Sequence, residues 1–405
     1  MPQVKPDIET FARIKVMGIG GSGLNALNHM INNKVKGVEF IAINTDAQDL
    51  HGTTAKKKIH IGKNLTRGLG AGMNPEVGRR AIEETKEEVQ EAVKGSDMVF
   101  ITCGLGGGTG SGASTIAAQI AKESGALTVA VVTKPFFFEG KQRMKIAEQA
   151  LDDLRKEVDA IIVIPNDRLL NNISKETTAK NAFAMCDDVL KQAVEGISDL
   201  ITTPGIINID FADVRAVLKE SGSALMGIGV ANGEKRAEEA AKMAINSPLL
   251  DISITGAQGV LFSIAGGDDL SMYEIQEAAK IITESMDSDA KVIFGTVNDE
   301  KLKKGDVKVT IIASGFPESA AKKSLFGIGG GSDSRTEEKE EVETNAKPAK
   351  KESEEKESRG KIFNSVTVEK KEDKPKIEKK ETKPLIEEDD DDEWGAVPSF
   401  LRRRK

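Results

Sequence analysis

The chain has 405 residues, enough for two domains and more, and its formal charge of −8 argues against general nucleic-acid binding. Two distant cysteines, Cys103 and Cys186, and three scattered histidines give no disulfide framework and no metal-ligand spacing, so a reducing, cytoplasmic setting is expected. Aromatics make up 4% of the chain, so the core must rest on Ile, Val, Leu and Ala, as in buried parallel sheets. No apolar run reaches the roughly 20 residues of a membrane span, and the opening MPQVKPDIETF lacks the apolar stretch of a signal peptide.

Residues 1–12 read as a flexible N-terminus. Arg13–Met17 is predicted as a strand, followed by a glycine-rich turn and a helix through Asn33. Glu39–Ile43 is a second strand. Pro75–Lys94 reads as a helix with proline at its start and alternating charges on its exposed face. Met98–Thr102 is a strand, then come glycines, then an alanine-rich helix over Ala113–Ser124. Leu127–Thr133 and Ala160–Ile164 are further strands. Such alternation predicts an α/β, Rossmann-like parallel sheet over 13–178, with ligands bound outside the carboxyl ends of its strands. Ala179–Leu200 reads as a long central helix within 179–203. Further helix and strand patterns (Val214–Lys219, Ala224–Val230, Lys235–Asn246, Gly259–Ala265, Tyr273–Met286, Lys291–Thr296, Val307–Ala313) predict a smaller α+β domain over 204–317.

Composition breaks near Pro317. The Lys/Glu/Ser mixture of residues 318–388 has too little apolar surface to offset its ordering entropy and is expected to be disordered. Residues 389–405 differ again, with the chain's one Trp and then Val397, Pro398, Phe400 and Leu401 between an acid block and a basic end. They read as a docking peptide at the tip of a flexible arm.

Two glycine-rich segments follow strands and open helices: Gly18-Ile-Gly-Gly-Ser-Gly23 and Gly104-Leu-Gly-Gly-Gly-Thr-Gly-Ser-Gly112. Glycine lets backbone N–H groups approach phosphate, and a helix N-terminus adds positive potential. The first loop alone fits GxGxxG with Asp46 some way on, which also suits an NAD enzyme. The second is denser in glycine than a turn needs, and the two together can converge on one polyphosphate. No GxxxxGK[ST] occurs, so the usual phosphate lysine is absent. The phosphate charge is then expected to fall to backbone N–H groups and Mg²⁺, with no metal ligand assigned to a side chain.

At the second loop the sequence resembles the tubulin/FtsZ superfamily, whose signature is GGGTGSG, and more closely its FtsZ branch of division GTPases. The resemblance covers about residues 11–317 and returns in the last residues. It implies GTP and GDP as ligands, with phosphate loops at Gly20, Gly21, Ser22, Gly23, Leu24 and Asn25, at Asn44, at Ala71 and Gly72, and at Gly104, Gly107, Gly108, Thr109 and Gly110. Ser22 and Leu24 stand where family members commonly have glycine. Glu139 and Arg143 match the ribose loop, although their i, i+4 spacing also suits a surface ion pair. Asn166 and the segment Phe183–Asp188 match the base site. Phe183 and Asp187 share a helix face, where the ring can stack on a purine and the carboxylate can accept both guanine N–H donors. Asp188 is the second choice for that carboxylate.

Asn208, Asp210 and Asp213 match the loop that completes hydrolysis in the pocket of the next subunit, although Asp210 also suits a plain helix cap. The resemblance thus implies a self-assembling division GTPase in head-to-tail filaments, a cytokinetic ring at midcell, and tail partners among membrane-tethering and regulatory division proteins. A tubulin-like filament of other purpose, an NAD-dependent oxidoreductase and a non-hydrolysing regulator remain the alternatives.

Overall fold

The computed structural model describes residues 12–316, apart from 171–176, 204, 248–249, 251–253, 255 and 300–301. The expectations for the N-terminus, the linker over 318–388 and the docking peptide over 389–405 lie outside the described residues, Ala12 excepted.

Ten strands form one sheet: β1 (Ile14–Ile19), β2 (Val38–Asn44), β3 (Lys57–His60), β4 (Met98–Gly104), β5 (Leu127–Lys134), β6 (Ala160–Pro165), β7 (Gly222–Asn232), β8 (Gly259–Gly266), β9 (Lys291–Asn298) and β10 (Asp306–Ser314). Their spatial order is β3-β2-β1-β4-β5-β6-β7-β10-β8-β9. β1 to β6 pair in parallel throughout. Beyond them β10 runs antiparallel to both β7 and β8, while β9 is parallel to β8.

The parallel half follows from its residue types. β4 and β5 are apolar and β-branched along nearly their whole length and are buried on both faces. Alternate side chains serve two cores, because successive residues of a strand point to opposite faces. On β1 and β4, Ile14, Val16, Met98 and Phe100 join the core that holds Leu190, Val194 and Ile197 of the central helix, Ala179–Thr202. Met17, Ile19, Val99 and Ile101 join the other core, with Ala113 and Ala117 of the helix Gly108–Glu123. A third cluster, including Phe262, Ile264, Val309 and Ile311, fills the antiparallel half.

The two halves share the sheet where β6 pairs with β7 over three residues, Ala160 to Ile162 against Gly222 to Ala224. Asp159 braces this seam. Its carboxylate accepts from Thr128 N at 2.9 Å and Glu220 N at 3.4 Å, while its carbonyl accepts from Gly222 N at 3.0 Å.

Three elements depart from the sequence pattern. The helix predicted over Pro75–Lys94 is two helices, Pro75–Glu84 and Lys86–Val93, parted at Thr85. The Thr85 hydroxyl donates to the Ala81 carbonyl at 3.2 Å, a back-bond that bends helices. Between β2 and that helix lie a short helix, Ala47–Gly52, and the edge strand β3, whose Lys57 and Lys58 are exposed. Lysine is a common guard of a sheet edge and masks the apolar alternation of a strand.

The third departure concerns the glycine loop. The helix predicted from Ala113 starts at Gly108, inside the glycine run. Tertiary packing explains it. A Cβ at Gly112 would lie 1.9 Å from the Pro75 carbonyl oxygen, and one at Gly78 would lie 2.4 Å from that of Gly108. Glycine on both sides brings the helices Pro75–Glu84 and Gly108–Glu123 into backbone contact, which offsets glycine's poor helix propensity. Gly78→Ala is therefore expected to lower unfolding free energy by about 1–3 kcal/mol through overpacking. Gly52→Ala, whose Cβ would meet nothing within 4 Å, should cost nothing. Urea titration of the two variants checks this, and equal midpoints would refute the contact.

Candidate nucleotide site

A cavity of about 470 Å³ opens at the carboxyl ends of β1, β2, β4, β5 and β6, the end of a parallel sheet where ligands bind. The two glycine loops form its floor and hold each other in place. A Cβ at Gly20 would lie 3.0 Å from the Gly110 amide nitrogen, and one at Gly104 would lie 2.6 Å from the Ser22 hydroxyl. Gly20, Gly21, Ser22 and Asn25 line the cavity from the first loop, and Gly104, Gly107, Gly108, Thr109 and Gly110 from the second. A Cβ at Gly107 would meet nothing within 4 Å, so the backbone there is bare to an incoming group. The helices Gly20–Asn32 and Gly108–Glu123 both begin at this floor. Their first N–H groups lack intrahelical acceptors and supply the anion-binding end of each dipole.

Gly23 and Leu24 do not line the cavity. Gly23 packs its helix on β4, since a Cβ there would lie 2.6 Å from the Thr102 carbonyl oxygen. Leu24 is buried in a small cluster with Leu27, Ala42 and Leu50.

The second wall comes from β2 and the loop before Pro75. Asn44 lines it, donating to Asp49 Oδ2 at 2.8 Å and accepting from Thr45 N at 2.9 Å. Asp46 caps the helix Ala47–Gly52 through Gln48 N and Asp49 N. Thr45 and Thr109 join their hydroxyls at 2.6 Å, tying this wall to the glycine floor. Ala71 and Gly72 line the mouth. Asp49 is a lining residue that the sequence pattern did not single out. Burial and neighbouring Asp46 push its carboxyl above the ordinary value, with Asn44 opposing. Its signal in the sequence was its place three residues after an N-cap aspartate, visible only once the short helix is known.

The third wall holds the aromatic and acidic groups. Phe183 and Asp187 both line the cavity from the first turns of the central helix, with Cys186 between them. Phe136 meets the edge of Phe183, with centroids 5.2 Å apart, and stacks on Phe138 at 5.0 Å. Burial pushes the Asp187 carboxyl up to about 6, with His29 opposing. Asp188 does not line the cavity. It accepts from Gln192 Nε2 at 2.6 Å, Lys191 Nζ at 2.9 Å and His29 Nε2 at 3.3 Å. Burial works against its charge, but Lys191 and His29 outweigh it and hold the carboxyl below its usual value.

Asn166 opens the short helix Asn166–Leu170, and its Oδ1 is buried with no hydrogen-bond partner. An orphaned acceptor in a cavity wall asks for a donor from a ligand or water. Glu139 and Arg143 pair with each other and both line the cavity, and Glu139 also accepts from Phe136 N at 3.0 Å. The geometry thus provides the ion pair and the exposed rim position together.

Asn208, Asp210 and Asp213 lie elsewhere. Asn208 accepts from Gly205 N at 2.7 Å, and Asp210 caps the helix Phe211–Leu218 by accepting from Ala212 N at 3.1 Å. All three residues are exposed, and none lines the cavity. The 15 steps from Asp187 to the end of the central helix at Thr202 rise about 22 Å, which carries the loop away from the cavity wall of its own chain.

With this geometry in place, similarity to known proteins can be stated. Residues 13–174 match the Tubulin/FtsZ family GTPase domain, and residues 222–317 match the FtsZ family C-terminal domain. An empty FtsZ dimer from M. jannaschii is 48% identical over 76% of this chain and 89% of its own, with a TM-score of 0.73. The chain belongs to the FtsZ family. A tryptophan-to-tyrosine mutant of that M. jannaschii protein gives the same identity and TM-score over 92% of its own chain. CetZ1 from Haloferax volcanii, a GDP-bound monomer, shares the fold at 22% identity and a TM-score of 0.67, covering 77% of this chain and 97% of its own. This FtsZ-family chain is a GTPase that binds guanine nucleotide.

One consequence concerns the nucleotide-free protein. Asp187 binds its proton more tightly when folded than at its ordinary 3.8, so stability falls as pH rises from about 4 to about 6. Asp187→Asn is expected to remove that fall and raise Tm at pH 7. Differential scanning calorimetry at pH 4, 6 and 7 checks this, and an unchanged pH slope would show that the carboxylate is not desolvated.

Proposed function

We propose that this GTPase assembles head to tail into protofilaments that form the cytokinetic ring. In each junction Asn208, Asp210 and Asp213 of one copy complete the nucleotide site of the next. The observation that carries this reading is the separation just described. The hydrolysis acids are exposed at one end of the central helix, and the nucleotide wall is at the other. They cannot act within one chain, whereas a second copy stacked end to end brings them to the open mouth. A heterologous contact of this kind does not close on itself and gives an open filament. Solved relatives point the same way, since the M. jannaschii FtsZ is a dimer and CetZ2 of Haloferax volcanii forms a GTPγS-bound protofilament.

In this reading Phe183 stacks on the base, supported at its edge by Phe136. Asp187 accepts the N1–H and 2-amino donors of guanine, and Asn166 Oδ1 is placed to accept a further donor. Glu139 and Arg143 hold the ribose side. Backbone N–H groups of the two glycine loops hold the phosphates. Among the described residues that line the cavity, Arg143 is the one cation, against Asp46, Asp49, Glu139 and Asp187. A polyphosphate therefore needs a counter-charge that these side chains do not provide. Mg²⁺, held through phosphate and water, supplies that neutralisation when bound. Among the described residues no cluster of His, Cys, Asp or Glu forms a metal cage of its own. The exposed carboxylates of Asp210 and Asp213 orient and polarise the attacking water, a task of positioning rather than covalent chemistry.

No helix among the described residues is long and apolar enough to cross a membrane. We assign attachment at the inner face of the membrane at midcell to Val397, Pro398, Phe400 and Leu401 of the terminal peptide, which take up tethering and regulatory division proteins. These residues lie outside the described part of the chain.

Turnover per molecule is expected to be near zero at low protein concentration and to rise above a threshold. Asp210→Ala or Asp213→Ala should keep GTP affinity and lower kcat by about 10²-fold or more. A phosphate-release assay across a concentration series checks both, and turnover independent of concentration would sink the shared site. A second expectation concerns pH. Guanine binds the ionised form of Asp187, so protonation competes with binding. GTP affinity should stay flat above about pH 7 and fall by up to about tenfold per unit below about 6. Titration with a fluorescent GTP analogue measures it, and Asp187→Asn should abolish the slope.

A further inference from the structure

At the opposite end of the sheet from the nucleotide lies a second cavity of about 730 Å³. It opens where the helix Lys141–Glu157 ends, where the helix Phe211–Leu218 ends, and where β7, β8 and β9 begin. Its charge is lopsided. Among the described residues, Arg155, Lys156, Lys219 and Lys291 line it against one carboxylate, Glu220.

Basic residues in the last turn of a helix ordinarily serve the helix itself, by donating to its terminal carbonyls and complementing its dipole. Lys156 has such a local role, with Nζ 3.5 Å from Asp153 Oδ1. Arg155 does not fit it. Its Nη1 lies 3.6 Å from Asp152 Oδ1, outside hydrogen-bond reach, while Nε and Nη2 are shut away from solvent with no acceptor. Buried guanidinium donors without acceptors are costly and rare. Lys219 and Lys291 are exposed and make no ion pair with any described residue. The cavity therefore has the Arg155 side chain in its wall and two unengaged point charges at its rim.

We propose that this cavity is an anion site for a compact small molecule bearing two or three phosphate groups, separate from the nucleotide cavity. Arg155 and the lysines act as positive charges on the phosphates. The volume lies in the range of small-ligand pockets and exceeds what one phosphate fills. Linked phosphates are favoured over an acidic peptide because they concentrate charge. Successive side chains of an extended peptide point to opposite faces, so carboxylates on one face recur only about every 6.6 Å, too sparse to meet four cations gathered round one cavity.

The test uses the full chain saturated with GDP, so that the nucleotide cavity is filled. Inorganic triphosphate is titrated by calorimetry at low salt. One triphosphate should bind per chain. Arg155→Gln and the pair Lys219→Gln with Lys291→Gln should each weaken it by about tenfold or more, with GDP affinity unchanged. If Arg155→Gln fails to fold, the lysine pair decides alone, since both residues are exposed. Absence of binding overturns the proposal, as does equal affinity in the variants. So does displacement of the triphosphate by further GDP, which would place it in the nucleotide cavity. An oligoglutamate peptide of the same charge binding as tightly also overturns it, because the cavity would then be a charge sink without preference for phosphate.

Discussion

Backbone packed directly on backbone is the constraint on which the nucleotide end depends. Gly20 meets the Gly110 amide, Gly78 and Gly112 bring two helices together with no side chain between them, and Gly104 leaves room for the Ser22 side chain. At Gly78, Gly104 and Gly112 the contact excludes even a methyl group. The result is a floor of amide groups fixed by the core beneath it. Thr45 and Thr109, joined hydroxyl to hydroxyl, extend the same framework to the neighbouring wall. Polarity is thus supplied by the main chain, and side chains are left to discriminate the base and sugar.

That division explains the electrostatic character of the two ends. The nucleotide cavity is lined by more carboxylates than cations, and two of these, Asp49 and Asp187, hold their protons above the ordinary range. The far cavity is cationic, with Arg155 short of acceptors. Helix direction alone does not produce this contrast, because the C-terminal ends of helices at the far cavity carry negative potential. Side-chain charge there overcomes the backbone, whereas at the nucleotide floor the backbone does the binding.

Much of the parallel half was legible from the sequence because its signals are local. Met98–Thr102 and Leu127–Thr133 are apolar throughout, and the glycine runs after strands mark the phosphate end. What was not legible depends on contacts between distant segments. The helix start at Gly108 needs Pro75 and Gly78 from another helix. The break at Thr85 needs a hydroxyl to choose a carbonyl that periodicity cannot show. Spacing favoured Asp187, the resemblance kept Asp188 as second choice, and the two have different neighbours in the structure. Asp188 is engaged by Lys191 and His29, while Asp187 faces the cavity beside Phe183. The pairing of Glu139 with Arg143 was foreseeable from spacing, whereas their place at the cavity was foreseeable only from the resemblance.

The central helix has 24 residues and a rise of about 36 Å. It is packed along the sheet by Leu190, Val194 and Ile197, so it acts as a stiff rod. In the proposed filament one end of this rod reads the base and the other delivers the water-activating loop to the next copy. Its length then works as a molecular ruler for the axial repeat of the polymer. Surface loops can vary freely without altering that period. Adding or removing one helical turn would shift it by about 5.4 Å, and adding a single residue would rotate Asp187 by about 100° relative to Asn208, so in the proposed junction the residue count of this helix is constrained.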